Sequence, residues 1–542
     1  MPPKRRDVLK NISKQSKRQP KTPESENDFL EAADEHEQSG GKWRAGDAAK
    51  SLRFFQRAID AYDEGLKRFP KSFDLAYNKA NLEYQLTQDA RLASQLGDIL
   101  DLLYGTLESH RLALNLNPDN ADVQFNMGQV LTSLAESLIE SSKTDADAEP
   151  NKAIAKSFLK EAVQMFSDCL ARQEQDHSEM LQQIEEAKAQ EADGGVLIDP
   201  SSPAAETASD AMETSSTSSE LPGDWATVLE PVTPSDLLET AVAHLNSLST
   251  LVSLSVPADA STLDRLSDIA TPLITIKIPQ YISLLPAPSL EPQNPTGPSL
   301  SLSIAPVTSS DPQTPIQDDA LLAAATFRAA LLESTYRSGL LPFATYSTHL
   351  STAFAPLIPP STTALTLSTV NTLSAYADAL IAFASALMET PTSEPDAERV
   401  NAQATALSRA QTSLGRLTAP ASVEMLQPAR VAEIFLVRGD VDLARLRIAS
   451  EASAKGVLVK NAGVFYRGAK AWAVRASVET KVAEVKAAFA EALKAEIEEN
   501  ESGVVSLDER VGEVDEVLRG MVEEGLVDVV TAERIRGVIL GR

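Results

Sequence analysis

The residues best suited to catalysis or metal binding are few and widely spaced. The 542-residue chain contains one cysteine, Cys169, and five histidines: His36, His110, His177, His244 and His349. No histidine lies three or four residues from another or from the cysteine, which is the spacing that places two metal ligands on one helix face. The motifs GxSxG, GxxxxGK[ST] and GxGxxG are also absent from the sequence. We therefore predict a protein that is not an enzyme and uses no metal or cofactor, with Cys169 packed in a core.

The composition narrows the class of partner. The net charge is −28 and the pI is about 4.7. Because Lys and Arg make most contacts to nucleic-acid phosphates, we expect no direct nucleic-acid binding by the acidic part of the chain. A basic protein is the expected partner, although the acidity also suits a role in solubility alone. We expect no small-molecule substrate. The single cysteine excludes an internal disulfide and indicates a reducing compartment.

The N-terminal segment has the opposite charge. Residues 1–26 are predicted to be a disordered basic tail, with eight Lys or Arg residues against Asp7 before residue 23. No apolar stretch typical of a secretory signal occurs there. Six of the basic residues match the spacing of a bipartite nuclear localisation signal: Lys4, Arg5, Arg6, Lys14, Lys17 and Arg18. We therefore expect the protein in the nucleus and the cytoplasm. A contact between the tail and RNA or the ribosome is the alternative.

Apolar residues recur at helical spacing in three separate blocks, and no convincing strand alternation occurs. The blocks are a helical domain at 27–191, a helical segment at 224–284 and an Ala-rich helical domain at 319–542. An acidic Ser/Thr-rich linker at 192–223 and a Pro/Ser-rich linker at 285–318 separate them, and both are predicted to be disordered. The nearly uncharged stretch 363–388 has a one-sided apolar stripe, which predicts a buried helix and no membrane span. The fold class is all-α.

The first block contains an internal repeat with an offset of 48 residues. Four pairs of residues align at this offset: Pro70 with Pro118, Tyr77 with Phe125, Asn78 with Asn126, and Ala80 with Gly128. We predict that Ser72 caps one helix, that another helix runs from about Leu92 to Leu116, and that the prolines end the helices before them. Repeats of this length are typical of helical solenoids.

The repeat resembles the tetratricopeptide (TPR) family. Gly128 followed by Leu131 matches the first half of the TPR pattern, and the second half is matched by two small–aromatic pairs: Ala58 with Tyr62, and Ala162 with Phe166. Near the C terminus, Gly439-Asp440 resembles a turn between paired helices, with Ala444 at a small-residue position, which also accounts for the RGD tripeptide. The 48-residue repeat exceeds the usual 34, and we expect a loop at 87–93 to hold part of the excess.

The TPR resemblance implies a helical solenoid that binds other proteins on one face. Tyr77, Asn78, Phe125 and Asn126 are the candidate partner contacts. The resemblance, the acidic body and the basic tail together suggest a chaperone or assembly factor for a basic client, such as a ribosomal protein in ribosome biogenesis. Histone escort, a structural subunit of a complex and a heat-shock chaperone co-factor are alternatives. The last would need Lys-x3-Asn in the first repeat unit, which the sequence lacks.

Overall fold

The computed structural model describes residues 23–141, 145–193, 231–286, 314–360, 365–389, 397–498 and 507–541. Within these ranges all regular structure is helical, which confirms the predicted all-α class. The chain divides into two compact units, whose boundary lies between Cys169 and Leu170. Residues 1–22 and most of the predicted linkers at 192–223 and 285–318 lie outside the described residues, so those assignments stay predictions.

The described part of the first unit opens with a capped helix and ends within a long helix. Its described helices are α1 (Glu26–Arg44), α2 (Ala48–Arg68), α3 (Phe73–Thr87), α4 (Ala90–Leu96), α5 (Ile99–Leu116), α6 (Ala121–Glu140) and the first half of α7 (Asp145–Asp193). Ser72 caps α3 as predicted, because its side chain accepts a hydrogen bond from the backbone N–H of Leu75 at 3.2 Å. Pro70 and Pro118 follow the ends of α2 and α5, also as predicted.

The long helices of this unit form two layers. Helices α1, α3 and α6 form the first layer, in which α3 contacts both α1 and α6. Helices α2, α5 and α7 form the second layer: α2 packs against α1 and α3, and α5 packs against α3 and α6. Within the second layer, the Tyr104 ring of α5 lies 6.0 Å from the Phe158 ring of α7. Successive helices thus form hairpins stacked side by side.

Close approach between the layers depends on small residues facing aromatic rings. A Cβ atom placed on Gly128 of α6 would lie 2.7 Å from the Phe166 ring of α7, so only glycine leaves room for the ring. The other residues predicted to pack the repeats are also buried, apart from the two exposed prolines: Ala58, Tyr62, Ala80 and Ala162.

The prediction for residues 87–116 was wrong in detail. The expected single helix is divided into α4 and α5 at Gly97, whose φ of 142° is accessible to glycine but strained for other residues. Asp98 then caps α5 by accepting a hydrogen bond from the N–H of Leu100 at 2.9 Å. Helix α4 contacts α2 and α3 and buries Leu92. The extra length of the repeat therefore lies largely in a short helix, where we had expected a loop.

The second unit continues α7 from Leu170 and contains the remaining described helices. They are α8 (Pro234–Leu254), α9 (Ala260–Pro272), a π-helical turn (Leu273–Lys277), α10 (Ile278–Leu284), α11 (Ile316–Arg337), α12 (Phe343–Phe354), α13 (Leu367–Glu389), α14 (Ala397–Leu417), α15 (Pro420–Val423), α16 (Pro428–Ile448), α17 (Ala452–Ala476), α18 (Lys481–Ile497), a 3₁₀ turn (Asp508–Arg510), α19 (Val511–Glu523) and α20 (Val529–Ile539). From α13 to α18 the long helices pack mainly against their neighbours in sequence.

Helix α13 is the predicted buried helix. It is the one helix among the described residues that is long and apolar enough to cross a bilayer, with a mean hydropathy of 1.3 over 18 residues. Its predicted stripe is buried in the core of the second unit: Val370, Leu373, Ala377, Leu380, Ala384 and Leu387. This burial confirms the interpretation as a core helix.

The predicted turn at Gly439-Asp440 is wrong, because both residues lie inside α16. Gly439 is buried against the Tyr466 ring of α17, and a Cβ atom at this position would overlap the ring. Asp440 accepts hydrogen bonds from the Tyr466 hydroxyl and from Lys486 Nζ, each at 2.8 Å. The RGD tripeptide thus joins α16 to α17 and α18. Ala444, predicted as a small packing residue, is buried on the same helix.

We predict that Gly439→Ala destabilises the second unit by about 1–3 kcal/mol, the usual cost of overpacking. Tyr466 cannot move aside without weakening its hydrogen bond to Asp440. Gly456→Ala on α17 is the matched control, since a Cβ there meets no atom within 4 Å. The control should be stabilised by up to about 1 kcal/mol, because alanine favours helix. Urea unfolding followed by circular dichroism measures both, and equal stability of the two variants would contradict the packing role.

A second prediction concerns the first unit. Gly128→Leu should lower its free energy of unfolding by about 1–3 kcal/mol or more, because the side chain would displace the Phe166 ring. Gly105→Leu is the matched control, since Gly105 lies on α5 with nothing near its Cβ position. Thermal unfolding of both variants tests the contact. A Gly128→Leu melting curve no different from that of the control would show that Gly128 is not at a tight helix crossing.

Candidate functional site

The first layer of the first unit concentrates negative charge. Helices α1, α3 and α6 carry only three basic residues, Lys42, Arg44 and Lys79. They carry eleven acidic residues: Glu26, Asp28, Glu31, Asp34, Glu35, Glu37, Asp74, Glu83, Asp122, Glu136 and Glu140. In the second layer, α2, α5 and residues 149–169 of α7 carry eight acidic and nine basic residues, so their charges nearly cancel. The acidity of this unit therefore lies mostly on one layer, which we call the acidic layer.

Several carboxyl groups of the acidic layer have raised pKa values. Partial loss of water contact raises the pKa of Asp74, although its side chain is exposed at the surface, and the nearby charge of Glu26 raises it further. Glu136 of α6 is affected in the same way by burial and by Glu140. Like charges that are close together and partly removed from water destabilise one another. A cation from a partner would relieve this repulsion, so the acidic layer is suited to binding positive charge.

Glu37 and Tyr62 connect the acidic layer to the second layer. The Tyr62 hydroxyl of α2 donates a hydrogen bond of 2.6 Å to Glu37 of α1. Burial raises the pKa of Glu37, and the hydrogen bond from Tyr62 opposes this effect. Tyr62 was predicted only to pack the repeats, and Glu37 was not predicted as a functional residue. Their separation of 25 residues gives no local signal for the pair.

The four predicted partner contacts lie on the acidic layer but differ in exposure. Tyr77 and Asn78 of α3 are half-buried. Phe125 and Asn126 of α6 are buried, with 4% and 2% of their surfaces exposed. The Asn126 side-chain amide donates a hydrogen bond of 3.4 Å to the Tyr77 hydroxyl, which joins α6 to α3.

Burial corrects the prediction that Phe125 and Asn126 contact a partner in this conformation. The Phe125 ring packs edge-on against Phe166 of α7 at 5.8 Å, so it fills the space between α6 and α7. Asn126 instead holds α6 against α3. Phe125 and Asn126 belong to the repeat pattern because residues at these positions pack the hairpins together. Tyr77 and Asn78 stay candidate partner contacts, together with the acidic side chains around them.

The single cysteine lies at 0% exposure in the first unit, and its Sγ donates a hydrogen bond to the Ala121 carbonyl at 3.3 Å. This burial confirms the core role predicted for Cys169. Across the described ranges, no three His, Cys, Asp or Glu side chains are grouped so that they could hold a metal ion.

His110 is the histidine buried beneath the acidic layer. It lies on α5, where its Nδ1 donates to the Thr106 carbonyl at 2.9 Å and its ring meets the edge of Tyr84 of α3. Burial lowers the pKa of His110 from its usual 6.5 to about 4, against the opposing effect of the hydrogen bond to Thr106. The neutral imidazole is therefore the form that the folded unit accommodates.

We predict that His110 makes the first unit less stable in acid. Between pH 6.5 and 4 the unfolded chain binds a proton that the folded chain does not, so stability falls by about 1.4 kcal/mol per pH unit as pH decreases. His110→Gln removes this loss, and carboxyl titrations are shared by both proteins. From pH 7 to pH 5 the variant should therefore gain about 2 kcal/mol relative to wild type. Urea unfolding at both pH values measures the difference, and pH profiles that stay parallel would contradict it.

Comparison with known proteins shows sequence similarity to a curated protein over about a third of this chain. No protein-family model matches the chain. The UPF0656 protein C926.02 of Schizosaccharomyces pombe is 30% identical over 186 residues, which are 34% of this chain. The chain thus spans about two fifths (39%) of the length of that relative.

Two solved structures of the S. pombe protein Nro1, described as a nuclear import adaptor, are similar at 10% sequence identity. One has a TM-score of 0.31 and covers 82% of this chain and 95% of that chain. The other has a TM-score of 0.30 and covers 84% of this chain and 90% of that chain. Structural similarity at this level does not assign a function to this chain.

Proposed function

We propose that the protein is a non-enzymatic protein-binding scaffold that escorts or assembles a basic client, such as a ribosomal protein during ribosome biogenesis. The observation that carries the proposal is the segregation of charge within the first unit. The acidic layer has eleven acidic against three basic residues, whereas the second layer is nearly neutral. Charge of one sign on one face increases the rate of encounter with a partner of opposite sign.

The stacked hairpins of the first unit also support a role in protein binding. We propose that α1 with α2, α3 with α5, and α6 with α7 are diverged TPR units. The close contact of Gly128 with Phe166 fits this assignment. In such arrays one layer faces the neighbouring units and leaves an extended surface for a partner. Half-buried Tyr77 and Asn78 would then add directed contacts to the electrostatic attraction, because charge alone discriminates poorly among basic proteins.

The first test removes charge from one layer at a time. Asp34→Asn, Asp74→Asn and Glu136→Gln, combined in one protein, neutralise three exposed groups of the acidic layer. Asp60→Asn, Asp101→Asn and Asp168→Asn make the same charge change at exposed sites of the second layer. A purified basic ribosomal protein serves as the probe, with a core histone for comparison. We expect the first triple variant to bind about tenfold more weakly, a loss of about 1.4 kcal/mol, and the second to bind like wild type.

Salt provides an independent check on the same binding. The screening length falls from about 10 Å at 0.1 M salt to about 3 Å at 1 M, so the association rate should fall markedly over this range. Surface plasmon resonance measures that rate for wild type and both triple variants. Binding that is indifferent to salt, or that weakens equally in the two variants, would exclude the acidic layer as the contact surface.

We further propose that the basic tail directs nuclear import, so that the protein occupies both nucleus and cytoplasm. Replacing Lys4, Arg5, Arg6, Lys17 and Arg18 with Ala should shift a fluorescently tagged protein to the cytoplasm, because import signals are recognised through their positive charges. The melting curve should not change, since the tail precedes the first helix at Glu26. Unchanged localisation would favour an RNA or ribosome contact for the tail.

A further inference from the structure

Helix α17 in the second unit is basic, although the chain as a whole carries −28. It contains five basic residues and no acidic residue between Ala452 and Ala476: Lys455, Lys460, Arg467, Lys470 and Arg475. Two of these pair with acids of α18, Arg467 with Glu491 and Lys470 with Glu484. A basic client of the acidic layer would be repelled by this helix, so α17 is suited to a partner of the opposite charge.

The exposed side of α17 carries an apolar stripe with the spacing of a helix-pairing seam. Val457, Val464 and Ala471 follow one another at intervals of seven residues and are all exposed. Lys460 and Arg467 lie between them and Val474 follows Ala471, which gives alternating steps of three and four residues. Val457, Val464 and Val474 are 58%, 49% and 60% exposed. Among the described helices, α16 and α18 make the main contacts with α17, and they pack on sides other than this exposed stripe.

The C-terminal end of α7, in the same unit, has the complementary character. Every residue from Ser178 to Ala189 is exposed except Met180, which is half-buried. Leu181 and Ile184 form a small apolar face, exposed at 45% and 41%. Glu185 lies beside that face, and the segment carries three glutamates against Lys188. The end of a long helix with so little tertiary support gains stability when its apolar face is covered.

We propose that the end of α7 in one copy of the chain docks on the α17 stripe of a second copy. Leu181 and Ile184 would cover Val457 and Val464, and Glu185 would lie near Lys460. Residues 178–189 form about 18 Å of helix, and the stripe from Val457 to Val474 is about 27 Å long, so the shorter segment fits within the longer.

Reciprocal docking closes the assembly as a dimer. Each copy contributes one α7 end and one α17 stripe, so a two-fold axis makes both contacts at once. Each contact buries only a few turns of helix, which places the dimer in the weak, transient class. The stripe is separate in sequence from the acidic layer, so loss of dimerisation and loss of client binding are distinguishable.

Sedimentation velocity on the full-length protein tests the proposal. The wild-type protein should dimerise at concentrations up to about 100 µM, as expected for a weak interface. Val464→Glu should weaken the dimer at least about tenfold, because it places an acid against Leu181 and Glu185. Circular dichroism should show no change, since Val464 is exposed. A wild-type protein that stays monomeric throughout would overturn the proposal.

Charge exchange identifies the two surfaces. Lys460→Glu and Glu185→Lys should each weaken dimerisation, and both changes in one chain should restore it. Two matched controls reverse exposed charges elsewhere: Arg409→Glu on α14, and Glu179→Lys, two residues from Leu181 and therefore on another side of α7. Both controls should dimerise like wild type. A dimer that Lys460→Glu leaves unchanged, or that the paired exchange fails to restore, would show that other surfaces make the contact.

Discussion

Close contact between an aromatic ring and a glycine backbone is the constraint on which the helix packing of both units depends. Only 5% of the residues are aromatic, yet several of them occupy positions where a Cβ atom would overlap the ring. The clearest cases are Phe55 on Gly40, Phe166 on Gly128 and Tyr466 on Gly439. Each glycine costs its helix about 1 kcal/mol of intrinsic stability relative to alanine. A ring packed directly against the glycine offsets that cost, so the helix pairs come close only in the register that brings ring and glycine together.

The predictions from sequence that the structure confirms depend on local features of the chain. Periodicity and caps identified most helices, because apolar spacing and residues such as Ser72 act locally. Gly439 was misassigned to a turn because glycine disfavours helix, and the compensating ring lies 27 residues away at Tyr466. The division of residues 92–116 at Gly97 was missed because apolar residues continue through it. The sequence predicts Phe125 and Asn126 as partner contacts because a repeated packing residue cannot be distinguished from a recognition residue until its burial is known.

The net charge of the sequence also predicts the type of partner without predicting where that partner binds. The net charge of −28 predicts a basic partner, but it does not show where in the fold the acidic residues lie. The fold gathers acidic residues from α1, α3 and α6 into one layer, and the helices between them in sequence carry most of the compensating cations. Helix α17 carries a local positive charge, opposite to the net charge of the chain. Two surfaces of opposite charge can therefore select different partners, one basic and one acidic, because each repels the partner of the other.

The proposed binding of a basic client to the acidic layer would be coupled to the release of protons. Burial and neighbouring acids raise the pKa values of Asp74 and Glu136, so these groups bind protons more readily than ordinary carboxyls. Cations of a bound client favour the charged carboxylates and lower those pKa values. Binding then releases protons, and by linkage the affinity for a basic client decreases as the solution becomes more acidic. Crowding like charges into one layer destabilises the free protein, and a partner that relieves the repulsion recovers that free energy on binding. The electrostatic cost of the layer therefore supports the proposal that its partner is a basic client.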